Sequence, residues 1–193
     1  GDAGAEDAKI VFDGNAQDFH IGLDDSTDSL TIGLGSALGT TSHIVTNASG
    51  EVTKPLQPAF MAQPASTQSN IAINSAVTVV LATERFDQNA NFASNTFTAT
   101  VTGKYNLSAL WYMNAIDSAA DYYEFTIQTS NRNYGYVYDS SVDSGDSPYA
   151  GFSMTVVADM DASDTAIITV TQAGGGQQTD IAVGTHFQGY LLG

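Results

Sequence analysis

Residues 91–105 read Asn-Phe-Ala-Ser-Asn-Thr-Phe-Thr-Ala-Thr-Val-Thr-Gly-Lys-Tyr. Within this stretch Phe97, Ala99 and Val101 alternate with threonines, and this period of two predicts a β-strand with one apolar face. A second alternating run begins after Gly103. Its apolar members are Tyr105, Leu107, Ala109 and Trp111. Alternating runs separated by a glycine turn are typical of an antiparallel sheet.

The same pattern extends through the C-terminal two thirds of the chain. Further apolar sets with a spacing of two are Val77, Val79 and Leu81; Tyr123, Phe125 and Ile127; and Phe152, Met154, Val156 and Ala158. Residues 165–171 are rich in β-branched side chains, which sheets favour. No segment has the periodicity of an amphipathic helix. The fold class predicted is all-β, an antiparallel β-sandwich or jelly roll.

The N-terminal part has shorter alternating runs and fewer aromatic side chains than the rest of the chain. It contains short β-like runs at residues 8–12, 18–23, 29–34, 43–46 and 51–53, with few aromatic side chains. Strands this short rarely bury a core alone, but three copies around an axis could do so. Lys54-Pro55-Leu56-Gln57-Pro58 reads as a stiff connector, because each proline restricts its own backbone and that of its predecessor. The predicted division is a β-rich stem, residues 1–54, and a head, residues 55–193.

Charge and composition exclude several classes of function. The chain has 193 residues, with 5 Lys and Arg against 21 Asp and Glu, giving a net charge of −16. A surface this acidic disfavours nucleic acid and anionic membranes as partners. There is no cysteine, so disulfides and thiolate chemistry are excluded. No apolar run approaches the ~20 residues of a membrane span, and a start at Gly1 suggests a missing or cleaved upstream part.

The head resembles a known family. The stretch at 91–105 resembles the signature of the globular head of the complement q-subcomponent, which shares its jelly-roll fold with tumour necrosis factor. The residues that fit are Phe92, Phe97, Thr98, Ala99, Gly103 and Tyr105, and Thr100 stands where the family has proline. Residues 185–192 are similar to the family's closing strand, and residues 57–60 to its opening strand.

The stem resembles a different set of proteins. Residues 7–15 and 19–24, with Asp28-Ser29-Leu30-Thr31-Ile32-Gly33, are similar to stem segments in tail and head fibres of marine bacteriophages. Such fibres often carry a complement-q-like head. The pairing implies a structural protein of a virion, attached to other virion proteins through its N-terminal part, whose head binds a glycan or protein on a host cell. The alternative is a secreted bacterial module of the same fold that binds glycan or protein.

The resemblance also implies a homotrimer, in which three jelly rolls pack through apolar faces. The candidates for that interface are Tyr105, Trp111, Tyr123, Phe125, Phe152, Phe187 and Tyr190. The competing interpretation is that all seven belong to the core of one subunit.

The longest polar loop of the head, residues 139–149, is the candidate receptor-contact site, since binding residues favour loops on a rigid scaffold. The candidate residues are Tyr134, Tyr136, Tyr138, Asp139, Asp143, Asp146 and Tyr149. The alternative is a solvated hairpin tip. The three aspartates are also possible calcium ligands, although their spacing does not fit an EF-hand loop. No other cofactor is expected.

Catalytic patterns are missing from the sequence. His20, His43 and His186 lack metal-ligand spacing, and there is no Gly-x-Ser-x-Gly motif. Acidic residues that could form a carboxylate pair for glycoside cleavage are abundant, but the head contains only two glutamates, Glu84 and Glu124. The sequence therefore predicts a binding protein and not an enzyme.

Overall fold

The computed structural model describes residues 4–192, and contacts divide the chain into two compact units, Gly1–Gln57 and Pro58–Gly193. This division lies three residues after the predicted boundary. The connector forms a turn in which the Gln57 backbone N–H donates to the Lys54 carbonyl at 3.0 Å, so these residues stay with the first unit. Pro58 belongs to the second unit, because its carbonyl accepts a hydrogen bond from the Leu191 N–H at 3.1 Å.

The N-terminal unit is a five-stranded antiparallel meander in the order β1-β2-β3-β4-β5. Its strands are β1 (Ala8–Phe12), β2 (Phe19–Asp24), β3 (Ser29–Leu34), β4 (Ser42–Thr46) and β5 (Val52–Thr53). The five predicted strands are confirmed, each to within one residue at either end. Alternation of apolar and polar residues in short segments was sufficient to place them.

Burial in this sheet is inverted, because the small and polar face is covered and the apolar face is not. His20, Asp24 and Thr31 are buried. The chain after β3 folds back over them: the Leu34 N–H donates to the Thr41 carbonyl at 2.9 Å. A Cβ at position 33 would collide with that same carbonyl, so glycine permits the close approach.

The C-terminal unit contains twelve strands. These are β6 (Ala59–Gln63), β7 (Ala76–Thr78), β8 (Thr83–Gln88), β9 (Phe92–Ala93), β10 (Thr96–Thr98), β11 (Gly103–Ile116), β12 (Ala120–Thr129), β13 (Asn133–Tyr138), β14 (Ser147–Met160), β15 (Thr165–Gly174), β16 (Asp180–Ile181) and β17 (His186–Leu191). One sheet has the order β13-β12-β15-β10-β9, with β7 paired to β15. The other has the order β14-β11-β17-β6-β8, with β16 paired to β11. We call them the β12 sheet and the β11 sheet.

The core of the head lies between these two sheets. Its largest fully buried side chains include Trp111, Tyr105, Tyr123, Phe60, Phe97, Phe125 and Phe187. Phe60 sits at the centre of an aromatic cluster, with its ring 4.6 Å from Phe97 and 5.0 Å from Phe187. The inward faces predicted for β11 and β12 are confirmed, because every apolar member of those two alternating sets is buried.

One predicted strand face needs correction. The strand containing Phe97 ends at Thr98, and Val101 is exposed although Ala99 is buried. The Ala99 N–H donates to the Asp164 carbonyl at 2.8 Å and the Ala99 carbonyl accepts from the Ser163 N–H at 2.7 Å, so the pairing with the chain before β15 becomes irregular at this point. In β14, Phe152, Met154 and Val156 share the predicted inward face and pack against the core, but they are only half-buried because this strand forms an edge of its sheet.

The helical content of residues 4–192 is a single 3₁₀ turn, Ser140–Val142. The expectation that the chain has no amphipathic helix therefore holds for this part of the chain. In the same range, no helix is long and apolar enough to cross a membrane.

Candidate functional site

The loop that joins β13 to β14, residues 139–146, is tied to the head by side-chain hydrogen bonds. Asp139 caps the 3₁₀ turn, accepting from the Ser141 N–H at 3.0 Å and from the Ser141 hydroxyl at 2.6 Å. The buried Ser140 hydroxyl donates to the Ala120 carbonyl at 2.9 Å, which anchors the turn to β12. The loop is thus a defined turn, with Val142 as its most exposed apolar side chain.

The other two aspartates of the loop also hold its conformation. Asp143 accepts a hydrogen bond from the Tyr138 hydroxyl at 2.6 Å, and this bond is the main reason that the pKa of Tyr138 rises from 10.0 to about 12. Asp146 accepts from the Ser118 N–H at 2.9 Å and from the Ser118 hydroxyl at 2.8 Å. Each carboxylate therefore has its own separate partner.

These partners bear on the calcium hypothesis. A calcium site needs several oxygen ligands that converge on one point. Among residues 4–192, no group of three or more His, Cys, Asp or Glu side chains is placed to hold a metal ion. The structure therefore offers no ligand set to which the three loop aspartates can be assigned.

The candidate tyrosines do not form one surface. Tyr134 and Tyr138 are half-buried and pack against the core, while Tyr136 between them is exposed. Tyr149 lies on the outer face of the β11 sheet, where its ring stacks on Tyr112 at 6.3 Å and an interplanar angle of 7°. Tyr149 therefore lies on a different sheet from the three β13 tyrosines, and the receptor-contact role of the set stays a prediction.

Five of the seven trimer-interface candidates belong to the core of a single chain. Tyr105, Trp111, Tyr123, Phe125 and Phe187 are fully buried between the two sheets. A side chain that has no exposed surface in one subunit cannot contact a neighbouring subunit. Their assignment to an interface is thus corrected, and the interpretation as core is the right one for these five.

The remaining two candidates occupy different places. Phe152 is half-buried at the edge of the sandwich, where its ring lies 4.3 Å from Phe125 and 4.9 Å from Tyr138. Tyr190 is 49% exposed on the outer face of the β11 sheet. Of the seven candidates, Tyr190 is the one whose side chain is exposed on the outer face of a sheet, where a second subunit could contact it.

The outer face of the β11 sheet is the apolar surface that the sequence analysis missed. Besides Tyr149 and Tyr190, it exposes Phe86, Tyr112 and Val157. The outward positions at 106–112, 149–157 and 186–190 contain no acidic residue and no Lys or Arg. The signal was present in β11, where Leu110 and Tyr112 interrupt the polar alternation begun by Asn106 and Ser108, so that both strand faces are apolar there.

This face also carries a depression and contrasts with the opposite side of the sandwich. The depression has a volume of about 260 Å³ and is lined by Ala59, Phe86, Asn106, Gln188 and Tyr190, among others. On the outer face of the β12 sheet, the corresponding positions include Glu124, Gln128, Asn133, Thr169 and Thr171. The two sides of the head therefore differ in charge and in aromatic content. The outer face of the β12 sheet includes the acidic Glu124, whereas the outer face of the β11 sheet, over positions 106–112, 149–157 and 186–190, combines exposed tyrosines with uncharged polar side chains.

Comparison with known proteins identifies the fold of the head. The sequence matches no protein-family model and no curated protein. The structure of the globular domain of zebrafish complement 1qA protein is similar, with a TM-score of 0.50 and 17% identity, over 71% of this chain and 98% of that one. Murine APRIL is similar with a TM-score of 0.52 and 11% identity, over 70% of this chain and 99% of that one. These likenesses confirm the jelly roll predicted for the head.

Proposed function

We propose that three copies of this chain assemble around a common axis and form the receptor-binding end of a bacteriophage fibre. The observation that carries the proposal is the outer face of the β11 sheet. Exposed apolar patches of this kind are typical of protein interfaces. Each chain has a net charge of −16, so association requires a contact surface free of like charges. The outward positions at 106–112, 149–157 and 186–190 supply one.

Within the trimer, Tyr112, Tyr149 and Tyr190 form the contact between heads. Aromatic side chains at an interface contribute large contact areas. The depression between Phe86 and Tyr190 would accept an apolar side chain of the neighbouring subunit.

The fibre assignment rests on the pairing of the two units. The segment from Asp28 to Gly33, similar to phage stem segments, forms β3 at the centre of the N-terminal meander. In our proposal this unit is the stem, connects to other virion proteins and projects the head from the particle. The expected location is therefore the virion.

The receptor surface in this proposal is the loop at residues 139–146, together with Tyr136. Three aspartates hold the loop in one conformation, which reduces the entropy lost on binding. Val142 and Tyr136 are its exposed apolar side chains. Three copies of a weak site on one trimer would bind a cell surface with avidity, so that a modest contact is sufficient. The ligand is a host-surface glycan or protein.

Binding is tested with fluorescently labelled full-length protein on a panel of marine bacterial cells. We expect saturable binding to some strains, with loss in a Val142→Asp variant and retention in the matched Val137→Asp variant on β13. A Tyr190→Glu variant, with its loop unchanged, should bind more weakly because avidity is lost. Saturable binding that Val142→Asp leaves unchanged, or that Val137→Asp reduces equally, would contradict the proposed receptor surface.

The virion assignment needs a separate test. Antibodies raised against the chain should label purified phage particles at the tips of fibres, as seen by electron microscopy. Their labelling of the bacterial culture medium and cell envelope alone would instead favour a secreted bacterial module of the same fold.

A further inference from the structure

The apolar face of the N-terminal sheet is exposed across four strands. Cross-strand register places Ile10 opposite Ile21, Ile21 opposite Ile32 and Ile32 opposite Ile44. Directly opposed residues lie on the same face of a sheet. The four isoleucines therefore form a continuous row that crosses β1, β2, β3 and β4 at right angles to the strands.

Larger side chains flank this row on both sides. Phe12, Phe19 and Leu34 are aligned on one side, and Leu23 and Leu30 on the other. Ile10 is 62% exposed and Phe12 is 59% exposed. The outward positions of this face in β1 to β4 contain no charged residue.

The size of the face approaches that of a specific interface. Six of its side chains, Ile10, Phe12, Phe19, Leu23, Leu30 and Ile32, are exposed by 38–62%. At roughly 150–250 Å² for a large side chain, they leave about 500 Å² of apolar surface open. A stable complex buries about 800 Å² on each partner. The exposed apolar area is therefore more than half of that value, and the half-buried Ile21, Leu34 and Ile44 add to it.

We infer that this face is a second self-association surface, on which the N-terminal sheets of the other two copies pack to form a core shared among the chains. The inference rests on the homotrimer proposed above and gives the stem its own role in assembly. Three apolar sheets facing one axis would bury one another, as the facing sheets of a sandwich do at about 10 Å separation.

Several features favour copies of this chain over another partner. An apolar face without charges requires a partner with a similar apolar face, and every copy carries one. A closed ring leaves none of these faces uncovered, whereas a foreign partner must bring a matching surface to each. The inverted burial has the same consequence, because residues 35–41 cover the small polar face and leave the apolar one for association.

The absence of cysteine from the sequence permits a direct test on the full-length protein. Ile10→Cys places a single thiol on the apolar face, and Val11→Cys places one on the opposite face of the same strand. After labelling with pyrene, we expect excimer fluorescence from the Ile10→Cys protein and none from the Val11→Cys protein. Excimers form only when labels from different copies meet, so the signal reports this contact and not that between heads.

The outcomes separate the two proposals. A trimeric mass with no excimer from the Ile10→Cys protein would overturn the shared core and leave the head trimer standing. A monomeric mass for the unsubstituted chain would overturn both. Ile10→Glu gives an independent check, because it should shift the concentration midpoint of dissociation upward and the matched Val11→Glu should not. Equal midpoints for these two variants would also contradict the inference.

Discussion

The hydroxyl of Tyr138 donates a 2.6 Å hydrogen bond to the carboxylate of Asp143. This bond closes the base of the loop that we propose as the receptor surface. The carboxylate favours the neutral phenol, and the pKa of Tyr138 is raised to about 12. Because the pKa is raised in the folded state, the bond stabilises the fold at every pH below the pKa of a free tyrosine, which is about 10. This contribution is lost as the pH rises from about 10 through about 12.

Replacing the acceptor should therefore change this titration. In Asp143→Asn, we expect the pKa of Tyr138 to fall toward 10, because the anionic acceptor is gone. Nuclear magnetic resonance of ring-labelled tyrosine would follow the single residue. Asp139→Asn is the control, because Asp139 raises the pKa of Tyr138 only as a nearby charge and by less than the Asp143 hydrogen bond does. Its substitution should therefore lower the pKa of Tyr138 by a smaller amount. An unchanged Tyr138 titration in Asp143→Asn would show that the bond does not govern it.

A buried carboxylate links the turn after β11 to the segment that follows β15. Asp117 accepts hydrogen bonds from the backbone N–H groups of Gly176 at 2.7 Å, Gln177 at 2.8 Å and Ala119 at 2.8 Å. Burial acts to raise the pKa of Asp117, but the three N–H donors together lower it below 3.8. Asp117→Asn presents an amide to these donors and should reduce the unfolding free energy by about 1–3 kcal/mol.

The pH dependence of this effect has a defined sign. A lowered pKa in the folded state gives stability that is complete above the unfolded-state value of about 3.9 and is lost as the pH falls below it. Chemical denaturation at several pH values should therefore show the difference between the native protein and Asp117→Asn shrinking in acid. A difference that grows in acid would contradict the assignment.

Core packing makes a third prediction. The ring of Phe60 stacks on Phe97 at 4.6 Å and on Phe92 at 5.1 Å, and it is almost fully buried. Phe60→Ala should lower the unfolding free energy by about 3–5 kcal/mol, as measured by chemical denaturation. Val137→Ala on the exposed side of β13 should change it by less than about 0.5 kcal/mol. Similar losses for the two variants would mean that the cluster around Phe60 is not the core.

A fourth prediction concerns the contact between heads. Tyr190→Glu puts a carboxylate on the apolar face of each head, where three copies would repel one another. We expect the concentration for half-dissociation, measured by sedimentation, to rise by at least ~10-fold, since each 1.4 kcal/mol is a factor of ten. Val137→Glu adds the same charge at an equally exposed position of the β12 sheet. If both variants shift the midpoint equally, the change reflects net charge and not the face.

Much of the fold follows from the sequence. β3 matches the predicted strand at both ends because Leu30, Ile32 and Leu34 alternate without interruption. The resemblance at residues 91–105 gives the jelly roll, and the similar structures confirm it. Periodicity shows that Tyr105 and Trp111 share a face. It does not show whether that face packs against the second sheet of the same chain or against a neighbouring subunit. For this reason residues predicted for the trimer interface, such as Tyr105 and Trp111, lie instead in the core of one chain.

The exposed faces depend on contacts distant in sequence. The inverted sheet arises because residues 35–41 return over His20 and Asp24, which no local pattern encodes. The stacking of Tyr112 on Tyr149 depends on the antiparallel pairing of β11 with β14. The polar pattern predicts a loop at residues 139–149, whereas β14 begins at Ser147. The partners of the loop aspartates include Ser118, 28 residues away from Asp146 in sequence, and no local pattern indicates that contact.

The mass of the full-length chain in solution tests the central claim most directly. Light scattering after gel filtration, at micromolar concentration and physiological ionic strength, should give three times the chain mass of 20.2 kDa, or 60.6 kDa. A single species of 20.2 kDa would contradict the account, because both apolar faces would then remain uncovered in a stable, soluble monomer.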